Sequence, residues 1–285
     1  MSRIAKAFEQ KTGRAALIPF LNTGDPSMDL SLRLMEAVLE TGADVLEIGM
    51  PYSDPLADGP VIQASAVRSL QAGFALPKAF EAAAHLRTRT DKGLVLFTYV
   101  NPLLQYTPER FFRDAVQAGA DGVIVPDLPF EESDGVREAA DAAGIDLIPL
   151  IAPTSGEARI AQICQAARGF VYCVSSLGVT GERARMSDRV EALVQTARRY
   201  TSLPVAVGFG VSGPDQAKAI AAYADGVIVG SAFIRRIDQV LQAAPQALAA
   251  PGAGEVAARA RTEELANDVL GSVRSFAAEL MQAIR

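Results

Sequence analysis

Eight short apolar runs separated by longer amphipathic segments fill most of this chain, and that alternation restricts its fold more than any other feature. The runs cover residues 15–21, 45–49, 94–99, 122–126, 146–151, 170–174, 204–208 and 226–230. Between them, segments such as 30–39, 109–116, 131–143, 157–166 and 190–200 carry apolar residues at helical spacing. Strands that alternate with helices run parallel through right-handed crossovers, and helices cover the sheet on both sides. Doubly wound sheets usually stop at five or six strands, whereas eight units close on themselves, so the pattern predicts an α/β fold of the (β/α)8 TIM-barrel type. A recurring joint supports the repeat: Gly42-Ala43-Asp44, Gly119-Ala120-Asp121 and Gly144-Ile145-Asp146 each precede a strand, with the glycine suited to a left-handed helix cap. Residues 2–11 read as an extra N-terminal helix plugging the barrel bottom. Residues 243–254, rich in Ala, Pro and Gly, read as a linker to an extra C-terminal helix over 255–285. One domain, 1–285, accounts for the whole chain.

Charge and residue counts remove whole classes of function. A net charge of −6 argues against nucleic acid or an anionic membrane as partner. No apolar run approaches membrane-spanning length and no signal core follows Met1, so a cytoplasmic location is expected. Cys164 and Cys173 lack metal-type spacing and read as buried thiols. The single histidine, His85, lies in a helical stretch, so no metal site is expected. Lys6, Lys11, Lys78, Lys92 and Lys218 sit in helices or just ahead of a strand, not after one, where a Schiff-base lysine of a barrel would stand. Carboxylates remain as the chemical groups.

Barrel sites form at the C-terminal strand ends. In the run 44–49 a period of two puts Leu46 and Ile48 on the helix-covered face and Val45, Glu47 and Gly49 on the interior face. Glu47 is then either an acid/base group with a raised pKa or a structural carboxylate paired with an arginine. The following loop, 50–60, is long for its position and offers Asp54 and Asp58, both of which also suit turns. Physical reasoning does not choose between them. Glycine turns after the seventh and eighth strands, at Gly208–Gly210 and Gly230-Ser231, each lead into a helix N-terminus, the arrangement of a barrel phosphate cradle. The polar, glycine-punctuated loop 175–187 reads as a lid or as an ordinary surface loop.

The segment Leu46-Glu47-Ile48-Gly49-Met50-Pro51-Tyr52-Ser53-Asp54-Pro55-Leu56-Ala57-Asp58-Gly59-Pro60 closely resembles the signature of tryptophan synthase alpha chains. The resemblance continues, in family order, through Pro19–Pro26, Asp127–Glu132, Gly178–Gly181, Gly208–Val211 and Gly230–Ala232. It implies retro-aldol cleavage of indole-3-glycerol phosphate to indole and glyceraldehyde 3-phosphate. By the same resemblance, Glu47 is the proton carrier and Asp58 the carboxylate that holds the indole N–H. Phe20, Phe97, Tyr99, Ile151, Tyr172 and Phe209 surround the indole, Thr180 is the lid threonine, and Gly181, Gly210, Gly230 and Ser231 bind the phosphate. The family's implied partner is a beta chain in an α2β2 heterotetramer, which takes the indole and carries pyridoxal phosphate, so no cofactor is expected on this chain. The regions 50–60 and 101–106, with the lid, are the expected docking surfaces. Three other readings stand beside this one. An indole-glycerol-phosphate synthase or phosphoribosylanthranilate isomerase would need a strand-end lysine or a Cys/Asp pair. A non-catalytic activator would release no indole. A stand-alone indole-3-glycerol-phosphate lyase would turn over equally well without a beta chain.

Overall fold

In the computed structural model the alternation closes into a barrel. The structure describes residues 2–9, 13–174, 183–208, 210–243 and 255–285, with backbone alone at 183–187 and 255–259. The strands are β1 (Ala16–Asn22), β2 (Val45–Gly49), β3 (Gly93–Phe97), β4 (Gly122–Ile124), β5 (Asp146–Ile148), β6 (Leu150–Ile151), β7 (Val171–Val174), β8 (Val205–Gly208) and β9 (Gly226–Val229). They form one nine-stranded sheet in the order β5-β4-β3-β2-β1-β9-β8-β7-β6, and every pairing is parallel.

The ninth strand is a break, not an extra unit. The run 146–151 reads as one strand, but Pro149 has no N–H to give the ladder, so it divides the stave into β5 and β6. Its carbonyl still accepts the Tyr172 N–H at 3.0 Å. Because the chain passes directly from β5 to β6, the two ends of the strand order are covalent neighbours. The barrel closes there with eight staves.

Ahead of the barrel stands α1 (Arg3–Glu9), and helices α2 (Met28–Thr41), α3 (Pro60–Gln71), α4 (Pro77–Arg87), α5 (Val100–Tyr106) and α6 (Pro108–Gln117) follow the first strands. The second half carries α7 (Asp134–Ala143), α8 (Glu157–Ala166), α9 (Arg183–Arg198), α10 (Pro214–Ala221), α11 (Ser231–Ala243) and α12 (Glu255–Ala283). The interior face of the sheet packs Ile18, Val45, Val95, Ile124, Ile148, Phe170 and Ile228 together, with Ile4 and Phe8 of α1 entering from below. A Cβ on Gly122 would lie 2.9 Å from the Ile4 side chain, and one on Gly226 would lie 3.1 Å from Phe8, so these strand starts need glycine to admit the plug. Leu46 and Ile48 belong to the outer core with Leu34 and Val38 of α2. On the far side α12 lies across α2, α10 and α11, with Phe276 against Phe233 at 5.0 Å.

The aspartates just ahead of β2, β4 and β9 have a mechanical role, which Asp146 of the third glycine joint does not share. Gly42, Gly119 and Gly144 all take positive φ, at 121°, 81° and 75°. In the next residues Asp44 donates its N–H to the Leu17 carbonyl and accepts the Leu17 N–H on its own carboxylate, both at 2.9 Å. Asp121 exchanges the same pair of bonds with Leu94, and Asp225 with Val205. Each aspartate thereby locks its strand to the preceding one, and each is neutralised by arginine: Arg14, Arg3 with Arg87, and Arg198. These locks hold the bottom of the barrel and leave the opposite end free for chemistry.

Candidate active site

Glu47 occupies the third of five positions in β2 and faces inward, where its register partners are Phe20 on β1 and Val95 on β3. It is 1% exposed. None of the ion pairs among the described residues includes it, and its Oε1 is buried without a hydrogen-bond partner. Among the described residues no arginine pairs with it, and burial pushes the Glu47 pKa well above the ordinary glutamate range. A raised pKa favours the protonated form, and in that form the carboxyl can deliver its proton to a bound group.

Asp58 ends the long loop above β2, two residues before α3 begins at Pro60. Pro60 at the first helical position and Gly59 as its extended cap fix where the helix starts, so the aspartate is held at a defined place on the rim. Burial raises the Asp58 pKa to about 6, against the opposing pull of the Tyr99 hydroxyl. Asp54, the other aspartate of the loop, is exposed. The geometry thus separates two aspartates that sequence reasoning left equal.

Both carboxylates line one cavity of about 940 Å³ at the C-terminal mouth of the barrel. Phe20, Phe97, Ile151, Tyr172, Gly210, Gly230 and Ser231 share its wall, and Phe20 meets Phe97 edge to face at 5.3 Å. Burial, with Glu47 and Asp58 nearby, raises the Tyr172 phenol well above its usual range. Ile151 touches the cavity, yet its side chain packs outward with Ile160 and Ile163, while its neighbour Leu150 packs on the interior side. Tyr99 is set back from the wall. It lies behind Asp58 and 5.6 Å from the Tyr52 ring, whose hydroxyl receives the Asn101 amide at 2.7 Å. Thr180, Gly181 and Phe209 lie outside the described residues.

On the wall of the same cavity, Ser231 opens α11 and Gly230 precedes it. The first N–H groups of a thirteen-residue helix have no partners within the helix, so they and the positive end of its dipole offer an anion site. Gly210, with φ of 87°, lines the same cavity. Sequence reasoning missed Ile62, Val174, Leu150 and Ile228 on the wall, although alternation along β9 signals Ile228. Among the described residues no group of three or more His, Cys, Asp or Glu side chains is placed to hold a metal ion.

One deeply buried carboxyl and a second at the rim, beside a helix start with free N–H groups, suit acid–base work on a phosphorylated ligand. Residues 6–261 match the family described as tryptophan synthase alpha chain. The chain belongs to that family. It is 50% identical over 242 residues to the tryptophan synthase alpha chain of Synechococcus elongatus, covering 84% of this chain and 91% of that one. It is 49% identical over 230 residues to the alpha chain of Geobacillus thermodenitrificans, covering 80% and 85%. Among solved structures, tryptophan synthase subunit alpha from Legionella pneumophila superposes with a TM-score of 0.84 at 33% identity, over 100% of this chain and 98% of that one. Tryptophan synthase from M. tuberculosis, in an aminoacrylate-bound form, gives 0.82 at 33% identity with 100% of both chains covered. The span matched to the tryptophan synthase alpha-chain family contains every site residue named above.

Proposed function

We propose that this chain is the alpha subunit of a tryptophan synthase and cleaves indole-3-glycerol phosphate to indole and glyceraldehyde 3-phosphate. The observation that supports it most is the buried Glu47 carboxyl, whose Oε1 has no hydrogen-bond partner among the described residues and which shares a cavity with a second carboxylate and the start of α11. The alpha-chain relatives carry the activity in their shared name, and the Legionella protein is called a subunit.

The reaction needs one proton to reach indole C3 and one to leave the hydroxyl on the adjoining carbon of the glycerol chain. Protonated at rest, Glu47 gives its proton to C3, and the ring becomes a cationic indolenine. Asp58, ionised above a pKa of about 6, accepts the ring N–H and stabilises that positive charge. The Glu47 carboxylate then takes the hydroxyl proton and the C3–C bond breaks. Its electron pair returns to the ring, and the glycerol carbon becomes the aldehyde. Glu47 ends protonated as it began, so one residue serves as both acid and base. Phe20, Phe97 and Tyr172 bound a flat apolar space for the indole, and Gly210, Gly230 and Ser231 receive the phosphate. Thr180, Gly181 and Phe209 complete the proposed site, with Tyr99 tuning Asp58.

A beta-chain partner in an α2β2 assembly takes the indole, with pyridoxal phosphate on the beta chain only. Leu56 and Leu104, 82% and 53% exposed, place apolar side chains on the two proposed docking regions 50–60 and 101–106. Residues 1–285 act as one domain in this reading. A cytoplasmic setting is supported by two free, buried cysteines, and no described helix is long and apolar enough to cross a membrane.

The test is indole release from indole-3-glycerol phosphate, with and without a tryptophan synthase beta chain. Slow release by the chain alone, rising strongly with the beta chain, is expected. No release in either case overturns the reading.

A further inference from the structure

We infer that Arg68 is a positioning residue that sets the spacing between the Asp58 end and the phosphate end of the cavity. The inference rests on the proposed function only in which ligand spans the two ends. Arg68 lies two turns into α3, the helix that starts just after Asp58. Its Nε and Nη2 both donate to the carboxylate of Asp25 at 2.8 Å, and Nη2 also stands 2.7 Å from the carboxylate of Asp238. Asp238 lies two turns into α11, the helix that starts at Ser231. One guanidinium thus joins the helix that starts just after Asp58 to the helix that starts at Ser231.

The anchor beneath this clamp is rigid. Asp25 is 2% exposed at the end of β1 and also receives the Ser65 hydroxyl, which in turn receives the Asn22 amide at 2.9 Å. Ser69 donates to the Thr23 carbonyl at 2.6 Å, so successive turns of α3 are bolted to the top of β1. Nearer the site, Ile62 of α3 comes within 3.6 Å of the place a Cβ on Gly230 would take, so the two helices also touch at the phosphate turn. Arg68 is about a third exposed, and the attraction itself is modest there. What it supplies is geometry: a planar fork shared by two carboxylates that repel each other without it.

A ligand that touches both ends benefits from a preset span, because its second contact is made at high effective concentration. A ligand that touches one end gains nothing from the clamp. Asp238→Ala cuts the link to α11 while leaving the buried Asp25–Arg68 pair intact. Binding is read for three probes: indole-3-propanol phosphate, which spans the site, and indole and inorganic phosphate, which each fill one end. The spanning probe should bind roughly five- to tenfold more weakly, and the two short probes within about twofold of the unaltered protein. Arg68→Lys, whose single ammonium cannot serve both carboxylates, should show the same selective loss and replaces Asp238→Ala should that variant fail to fold.

An unchanged affinity for the spanning probe, or an equal loss for all three, overturns the inference. Failure of the unaltered protein to bind the spanning probe counts against the proposed function instead. The clamp is then judged by the crystallographic separation of the Asp58 carboxyl from the Ser231 N–H in Asp238→Ala. A shifted separation supports it, and an unchanged one overturns it.

Discussion

Phe20 and Glu47 stand directly opposite each other in the β1–β2 ladder, with both side chains turned into the barrel. With an aromatic ring on one side and Val95 on the other the carboxyl is buried, and that burial is the cause of its raised pKa. Glu47→Gln keeps the volume and removes the proton carrier, so indole release should fall by about 10²- to 10⁴-fold with circular dichroism unchanged. Stability supplies an independent check. A carboxyl whose folded pKa lies above its unfolded one favours folding in the acid range, and that contribution is lost as pH rises toward the buried pKa. The Gln variant should therefore melt above the unaltered protein at neutral pH, with the gap closing as pH falls below the ordinary glutamate range. Equal melting temperatures at all pH values would show that Glu47 is not held protonated.

Asp58 must be ionised to hold a cationic indolenine, and burial brings its pKa to about 6. The profile of kcat/KM should rise with pH through about 6 and level off above it. Asp58→Asn should lose the rising limb along with about 10²- to 10³-fold of turnover, the cost of removing one preorganised electrostatic group. A limb that persists in the variant belongs to another group.

Tyr99 stands beside this carboxylate. Its hydroxyl makes no hydrogen bond of good geometry but lies close enough to favour the ionised form of Asp58, while burial and Asp58 together raise its own pKa. Tyr99→Phe should shift the acid limb to higher pH and leave the plateau nearly unchanged. A lowered plateau with an unmoved limb would instead make Tyr99 a wall of the substrate pocket.

The parts of this site that were legible in the sequence are those set by period and by turn chemistry. Two-residue alternation placed Glu47 inside, because β2 runs unbroken and both faces are buried. The glycine turn before α11 was legible because a tight strand-to-helix turn uses few residue types. Asp54 and Asp58 were not separable, since both satisfy local turn rules and only the tertiary position of α3 puts one over the mouth. Ile151 entered through the family resemblance, whereas the two-residue period that puts Ile148 inside continues through Pro149, so Leu150 faces in and Ile151 faces out. The Arg68 clamp joins residues 25, 68 and 238, a separation that no local pattern reports.

The aspartate locks predict that the barrel bottom can be weakened without touching the chemistry. Asp121 is 6% exposed in its side chain and holds Arg87 at 2.6 Å, Arg3 at 3.0 Å and the Leu94 N–H at 2.9 Å. Asp121→Ala leaves the Arg87 guanidinium with backbone carbonyls but no counter-charge from residue 121, frees a strand N–H, and should cost roughly 3–5 kcal/mol. Measured well below its lowered Tm, the variant should keep its KM and kcat. A changed KM with unchanged Tm would link the two ends of the barrel in a way the structure does not show.

Gly230→Asp separates binding from stability in the opposite direction. A Cβ at this position meets Phe20 at 3.4 Å and Ile62 at 3.6 Å, which is ordinary contact, so the side chain itself fits. Residue 230 precedes α11, and an aspartate there caps the free N–H groups, which stabilises the helix by a few tenths of a kcal/mol. The same carboxylate occupies the donors that the phosphate needs and repels its charge. The variant should fold at least as stably as the unaltered protein, while KM for indole-3-glycerol phosphate rises roughly 10- to 100-fold and kcat changes little. Gly230→Ala adds the Cβ without the charge and should stay near the unaltered KM. If the alanine variant loses as much affinity as the aspartate, packing against Phe20 governs binding at this turn and the N–H groups of α11 do not hold the phosphate.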